Sequence, residues 1–227
     1  MTAPPASPLP DDFIYTPPLE PYLSVIYEDA DLIVLDKPSG LLSVPGKDPR
    51  LSDCLEARAR SRYPTASTVH RLDKDTSGVV VMALNKRAHG RIGIQFEKRQ
   101  TEKFYEARVW GQMEGESGRV DLPLATDWER KPRQRVDFER GRNAVTDWQV
   151  LAREEKATRV KLMPVTGRTH QLRVHMLTLG HPIIGDAFYA EGEALMAADR
   201  LQLHAEMLGF AHPTDGRPMQ FVIPCPF

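Results

Sequence analysis

The chain is poor in cysteine. Cys54 and Cys225 are its only two, they lie far apart, and they form no CxxC pair. That usage argues against a disulfide framework or a thiolate metal site and suits a reducing compartment, so a cytoplasmic protein is expected. Long apolar runs are also missing. Stretches such as Gly78 to Leu84 fall far short of the roughly 20 residues a bilayer span needs. The segment Met1 to Asp12 has neither a basic residue nor an apolar run, so no secretory signal is expected there. There is no P-loop, GxGxxG or HExxH, which removes nucleotide hydrolysis and dinucleotide redox from consideration. Seven histidines are present, but His170 and His175 stand five apart with no paired cysteine, and neither a metal nor a cofactor is expected.

Basic residues are absent from the first 36 positions, which hold seven acids. The remaining 24 acids face all 30 bases in residues 37–227, so the formal net charge of −1 hides a moderately basic body. Phosphate binding needs a local field rather than a high global pI, and the composition leaves a nucleic-acid partner open. At 227 residues and 41% hydrophobic, the chain can bury a sizeable core unaided.

Seven prolines in residues 1–21 predict an extended, mobile lead. Leu23 to Tyr27 and Asp31 to Asp36 predict two short strands, and Leu51 to Arg62 a helix with Leu51, Cys54, Leu55 and Ala59 on one face. Gly78 to Leu84 is continuous, apolar and β-branched, the pattern of a strand buried on both faces. Asn85 predicts an N-cap for a helix reaching about Arg99. Alternation at Tyr105, Ala107 and Val109 predicts a strand, as do Ala144 to Leu151 and Thr158 to Val165. Thr169 is the expected cap of a helix that ends at Gly180. Strands outnumber helices without a βαβ order, so an α+β domain around a mainly antiparallel mixed sheet with flanking helices is expected, covering residues 22–227.

The loop His70-Arg71-Leu72-Asp73-Lys74-Asp75-Thr76-Ser77-Gly78 crowds polar groups just ahead of the buried strand, a common placement for catalytic side chains. Alone it also reads as a solvated Asx-rich turn. Asp73-Lys74-Asp75 has the spacing of aspartyl-phosphate phosphatases, whose first carboxylate is the nucleophile. That motif ends a hydrophobic strand and has Thr or Val at its fifth position, whereas Ser67 to Leu72 is mostly polar and Ser77 stands fifth.

His70-Arg71-Leu72-Asp73 with Thr76-Ser77-Gly78 resembles the HRLDxxTSG signature of the RluA family of pseudouridine synthases. Three further blocks agree in order and spacing. They are Asp36-Lys37-Pro38-Ser39-Gly40, the run Lys103 to Gly111 with its KxYxAxVxG pattern, and Gly167-Arg168-Thr169-His170-Gln171-Leu172-Arg173-Val174-His175. The resemblance implies the pseudouridine synthase catalytic fold, with Asp73 as the nucleophilic carboxylate, Tyr105 as the active-site tyrosine and Arg173 as the partner of the aspartate. It also implies that Arg71 holds the target nucleotide out of its stack. Substrate contacts are expected from His70, Thr76 and Arg168 as well.

Isomerising uridine breaks C1′–N1, turns the base and joins C1′ to C5, so no redox cofactor or energy donor is needed. A carboxylate can assist by adding to the uracil ring or by promoting glycosidic cleavage at the sugar, and the sequence leaves both routes open. Reaching a paired uridine requires base flipping. Candidate phosphate contacts are Arg58, Arg60 and Arg62, and the segment Arg130 to Arg135 continued by Arg140 and Arg142, expected as a mobile basic loop. The compact form, without an S4 RNA-binding module, resembles family members that act on both a 23S ribosomal RNA hairpin and a tRNA anticodon stem-loop. Monomer is the expected state. An RNA-binding module that has lost catalysis is the rival reading, and the intact set Asp73, Tyr105 and Arg173 argues against it.

Overall fold

In the computed structural model residues 14–227 are described, and they form a ten-stranded sheet, a two-stranded hairpin and four α-helices. In chain order the elements are β1 (Ser24–Glu28), β2 (Leu32–Lys37), α1 (Leu55–Arg62), β3 (Ser67–Thr68), β4 (Ser77–Ala83), α2 (Lys86–Glu97), β5 (Glu102–Trp110) and β6 (Ser117–Asp121). They continue with β7 (Leu124–Thr126), β8 (Gln134–Val136), β9 (Val145–Arg153), β10 (Ala157–Pro164), α3 (Gln171–Thr178), α4 (Gly192–Met196), β11 (Leu203–Ala211) and β12 (Pro218–Val222). The main sheet runs β1-β2-β4-β11-β5-β10-β9-β6, with β3 beside β4 and β12 beside β11. Every pair is antiparallel except β4 with β11. This is the α+β arrangement expected from the strand-rich pattern.

Strand β4 is buried along its whole length, as its unbroken apolar run demands. Its first glycine has a specific task. Gly78 has φ +116°, and a Cβ there would meet the Ala205 carbonyl oxygen at 2.2 Å, so only glycine lets β4 and β11 approach in parallel. One core cluster packs β2 and β4 against α1 and α2. A second lies under β5, β10 and α3. Tyr105 touches both, which puts it at the seam.

Asn85 caps α2 as its side chain accepts from the Ala88 N–H at 2.9 Å. Several expectations need correction. The helix expected over Leu51 to Arg62 is split: Pro49–Leu51 forms a 3-10 turn, Cys54 is extended, and its Sγ caps a helix that starts at Leu55. Thr169 does not cap α3. His170 takes the N-cap position in a left-handed conformation, φ 54°, without a side-chain cap, so the helix starts at Gln171. The basic segment expected as a mobile loop is a paired hairpin, with Thr126 opposite Gln134 and Leu124 opposite Val136. Of the proline-rich lead, residues 1–13 lie outside the described residues. Its later part is tied down, because the Tyr15 hydroxyl accepts from the Leu42 N–H at 2.9 Å.

Candidate active site

The loop from Val69 to Thr76 leaves β3, crosses the seam of the two cores and enters β4. Its backbone is held from below by the Lys37–Leu42 segment. Lys37, fully buried at the end of β2, donates to the carbonyls of Pro38 (2.9 Å), Leu41 (2.6 Å) and Lys74 (2.8 Å). Three acceptors use all three ammonium hydrogens. Burial pushes its pKa down to about 7 against the attraction of Asp75 and Asp73. The Gly40 N–H also donates to the Lys74 carbonyl, and the Ser39 hydroxyl to that of Asp75. Ser43 exchanges hydrogen bonds with both backbone groups of Leu72. The residues on either side of Asp73 are therefore fixed by groups from a distant loop.

Asp73 itself is held more loosely. Its Oδ2 lies 3.4 Å from Arg173 Nη1 and 3.9 Å from His170 Nε2, and its side chain keeps 27% exposure. The first is a long hydrogen bond and the second is beyond one.

Arg173 has a firmer partner that sequence reasoning missed. Its Nε and Nη2 donate to Asp186 at 2.7 and 2.6 Å, and both side chains are buried. Asp186 Oδ1 also accepts from the backbone N–H groups of Phe188 and Tyr189. The rings of Phe188 and Tyr189 lie 5.1 Å from the Arg173 guanidinium carbon. Burial and its two carboxylate neighbours pull the guanidinium in opposite directions, and the net shift is upward. A cation at Asp73 is thus guaranteed, yet its two short hydrogen bonds go to Asp186 and only the long one to Asp73. Thirteen residues separate Arg173 from Asp186 with Gly180 and Pro182 between them, so no periodicity marks the pair.

His170 is set by a chain of hydrogen bonds. The Gln134 N–H donates to the Tyr189 hydroxyl at 2.7 Å, and that oxygen lies 2.7 Å from His170 Nδ1. The Tyr189 hydroxyl, with one hydrogen and two lone pairs, serves both groups and fixes the ring so that Nε2 faces Asp73. Burial lowers the pKa of His170 against the attraction of Asp73, which favours the neutral ring. Burial also pushes the Tyr189 phenol up to about 12.

Asp73, Arg71, Thr76, Tyr105, Arg168 and Arg173 all line one cavity of about 630 Å³, within the usual range for a small-ligand site. Tyr105 is half-buried with its phenol held well above its normal pKa by burial and by the charge of Asp73, so it stays protonated. Arg71 is exposed at the rim. Arg168 donates from Nε to the Asn143 carbonyl. Thr76 is buried in the wall.

His70 lies outside the main cavity, in the wall of a neighbouring one. Its Nε2 accepts from the Val81 N–H at 3.1 Å and its ring stacks on Phe96, 4.4 Å between centroids. Burial drives its pKa down to about 3. It braces the loop against β4 and does not line the main cavity. Arg58 is also reassigned: it is fully buried, donates to Asp53 at 2.7 and 2.8 Å and to the Tyr22 carbonyl, and cannot reach a phosphate. Arg60 and Arg62 pair with Glu56 and Glu28.

Residues 31–178 match the RNA pseudouridylate synthase family. The dual-specificity RNA pseudouridine synthase RluA of Haemophilus influenzae is 52% identical over 91% of this chain and 95% of its own length. That of Salmonella typhi is 51% identical over 94% and 98%. Among solved structures, human RNA pseudouridylate synthase domain containing 1 superposes with a TM-score of 0.75 at 32% identity, covering 90% of this chain and 84% of that one. Human RNA pseudouridylate synthase domain containing 4 gives 0.71 at 27%, covering 89% and 88%. No helix among the described residues is long and apolar enough to cross a membrane. With a family match over most of its length and relatives about half identical along nearly the whole of both chains, the chain belongs to the RNA pseudouridylate synthase family, isomerases that convert uridine in RNA to pseudouridine.

Proposed function

We propose that Asp73 is the carboxylate that acts in the isomerisation, that Tyr105 and Arg173 complete the reacting centre, and that the substrates include both ribosomal RNA and tRNA. The observation that carries the reading is the convergence of Asp73, Tyr105 and Arg173 on one cavity from three separate elements. The dual-specificity names of the relatives support the breadth of substrate.

The reaction balances within the substrate. C1′–N1 breaks, the uracil turns, C1′–C5 forms, the hydrogen leaves C5, and N1 ends protonated. Asp73 supplies an anion beside the ring, whether it adds to the base or acts at the sugar. Arg173 offsets the cost of keeping that anion partly dry, and its bond to Asp186 fixes the direction from which it does so. Tyr105 presents an aromatic face on which uracil stacks and a protonated phenol near C5. Arg71, exposed at the rim two residues before Asp73, fills the gap left in the RNA stack and holds the uridine out. Residues 22–227 act as the catalytic domain, as a cytoplasmic monomer.

The test is tritium release from RNA labelled at uridine C5, run separately on a tRNA anticodon stem-loop and a 23S ribosomal RNA hairpin. Release from both is expected. Release from one alone removes the dual specificity, and release from neither removes the reading.

A further inference from the structure

A second cavity of about 510 Å³ opens beside the first and shares much of its wall with it, including Arg71, Lys103, Tyr105, Arg142 and Arg168. Five cations line it, Arg71, Arg99, Lys103, Arg142 and Arg168, against one acid, Glu97. They arrive from five segments: the Asp73 loop, the residues after α2, β5, the turn after β8 and the turn before α3. This is therefore not the solvated face of one helix.

The ion-pair pattern sets the cluster apart. Thirteen of the chain's 21 arginines pair with an acid. Four of the eight that make no such pair among the described residues are Arg71, Arg99, Arg142 and Arg168, all in this cavity. Lys103 has no acidic partner there either. The cations act on one another instead. Burial and Arg99 hold Lys103 below its usual pKa, and burial, Arg142 and Arg99 do the same to Arg168. Folding gains nothing from gathering uncompensated like charges in a concavity.

Arg99 adds a second, backbone observation. It follows the C-cap of α2 at φ 58°, the left-handed position usually given to glycine or asparagine. The chain accepts that conformation and puts a guanidinium there.

We propose that this cavity is an anion subsite that takes a backbone phosphodiester next to the uridine held in the first cavity, with Arg99 as its dedicated contact and Lys103 reaching it from the shared wall. The inference rests on the uridine-isomerase reading and adds to it the place where the flanking strand is gripped. Arg71 and Arg168, in the shared wall, link the two cavities, so the flipped nucleotide and its phosphate are seated together.

The experiment measures Kd for an anticodon stem-loop RNA across a salt series, using the full chain and the variants Arg99→Gly and Lys103→Gln. Glycine suits the backbone at position 99, so that variant should melt at the wild-type temperature or above it. Its Kd should nevertheless rise about tenfold, the loss of one charge-assisted contact. The slope of log Kd against log salt should fall by about one. A neutral methylphosphonate on one phosphate flanking the target uridine should weaken wild type by a similar factor and add little to Arg99→Gly. Lys156→Gln, just ahead of β10 and paired with Glu193, is the control and should bind as wild type does. Kd and slope within twofold of wild type for both cavity variants would overturn the subsite, as would full additivity of Arg99→Gly with a methylphosphonate at each flanking phosphate. Wild-type conversion of the same RNA is checked first: its absence would count against the isomerase reading, whereas an active enzyme with indifferent variants counts against the subsite alone.

Discussion

Asp186→Asn removes the charge that balances Arg173 while keeping the side chain's size. Asp186 accepts two bonds from the guanidinium at 2.6 and 2.7 Å and two from backbone N–H groups at 2.9 and 3.2 Å. An amide cannot serve all four, because its nitrogen is a donor facing donors. Both partners are buried, and breaking such a pair from one side costs about 3–5 kcal/mol. With a transition entropy of about 2.1 cal/mol/K per residue, a 227-residue chain loses about 6–10 °C in Tm. The freed guanidinium then turns toward Asp73, already 3.4 Å from Nη1, and restrains the carboxylate that must reach the base. Scanning calorimetry gives the first effect, and tritium release well below the new Tm gives the second. The double variant Arg173→Met with Asp186→Leu separates them: replacing the pair by apolar groups should recover most of the stability and none of the activity. A single variant whose Tm falls by less than about 2 °C, or a double variant no more stable than the single, would refute the reasoning.

Gly78→Ala should unfold or severely destabilise the protein in urea, because the new methyl meets the Ala205 carbonyl at 2.2 Å and φ is +116°; wild-type stability would mean that β4 and β11 separate cheaply. Tyr189→Phe strands the Gln134 N–H and releases the His170 ring, so stability should fall by about 1–3 kcal/mol. The same variant should lower kcat more than it raises KM, and an unaltered kcat would detach His170 from Asp73. His70 is held at about 3 in the folded protein against about 6.5 unfolded. Between those values the unfolded chain binds more protons, so stability falls as pH drops through that window, by up to about 1.4 kcal/mol per pH unit for this one group. Urea unfolding at pH 7 and pH 5 measures it, and His70→Asn should flatten the dependence; an equal slope in both proteins would reassign the acid sensitivity.

How much of this was legible in the sequence depended on whether a feature is local. The strand Ser77–Ala83 announced itself because burial on both faces leaves an unbroken apolar run, and Asn85 was readable because a cap needs only its own helix. The helix at Leu51 to Arg62 was overdrawn because the apolar spacing hid Pro49, which starts a separate turn. Thr169 failed as a cap since His170 takes the left-handed position one residue later. The blocks around Asp73, Tyr105 and Arg173 signalled residues that share a cavity. They gave no sign of Asp186 or Tyr189, whose roles exist only once the segment after α3 folds back. Arg58 looked like a surface cation because charge alone does not reveal burial against Asp53 and Tyr22.

The most direct measurement is single-turnover conversion of a C5-tritiated stem-loop RNA by wild type and by Asp73→Asn, with RNA affinity measured in parallel. Asparagine keeps the shape of the side chain and removes the anion that faces Arg173 at 3.4 Å. The account predicts RNA binding within a few-fold of wild type and no detectable tritium release. Release at the wild-type rate would contradict it.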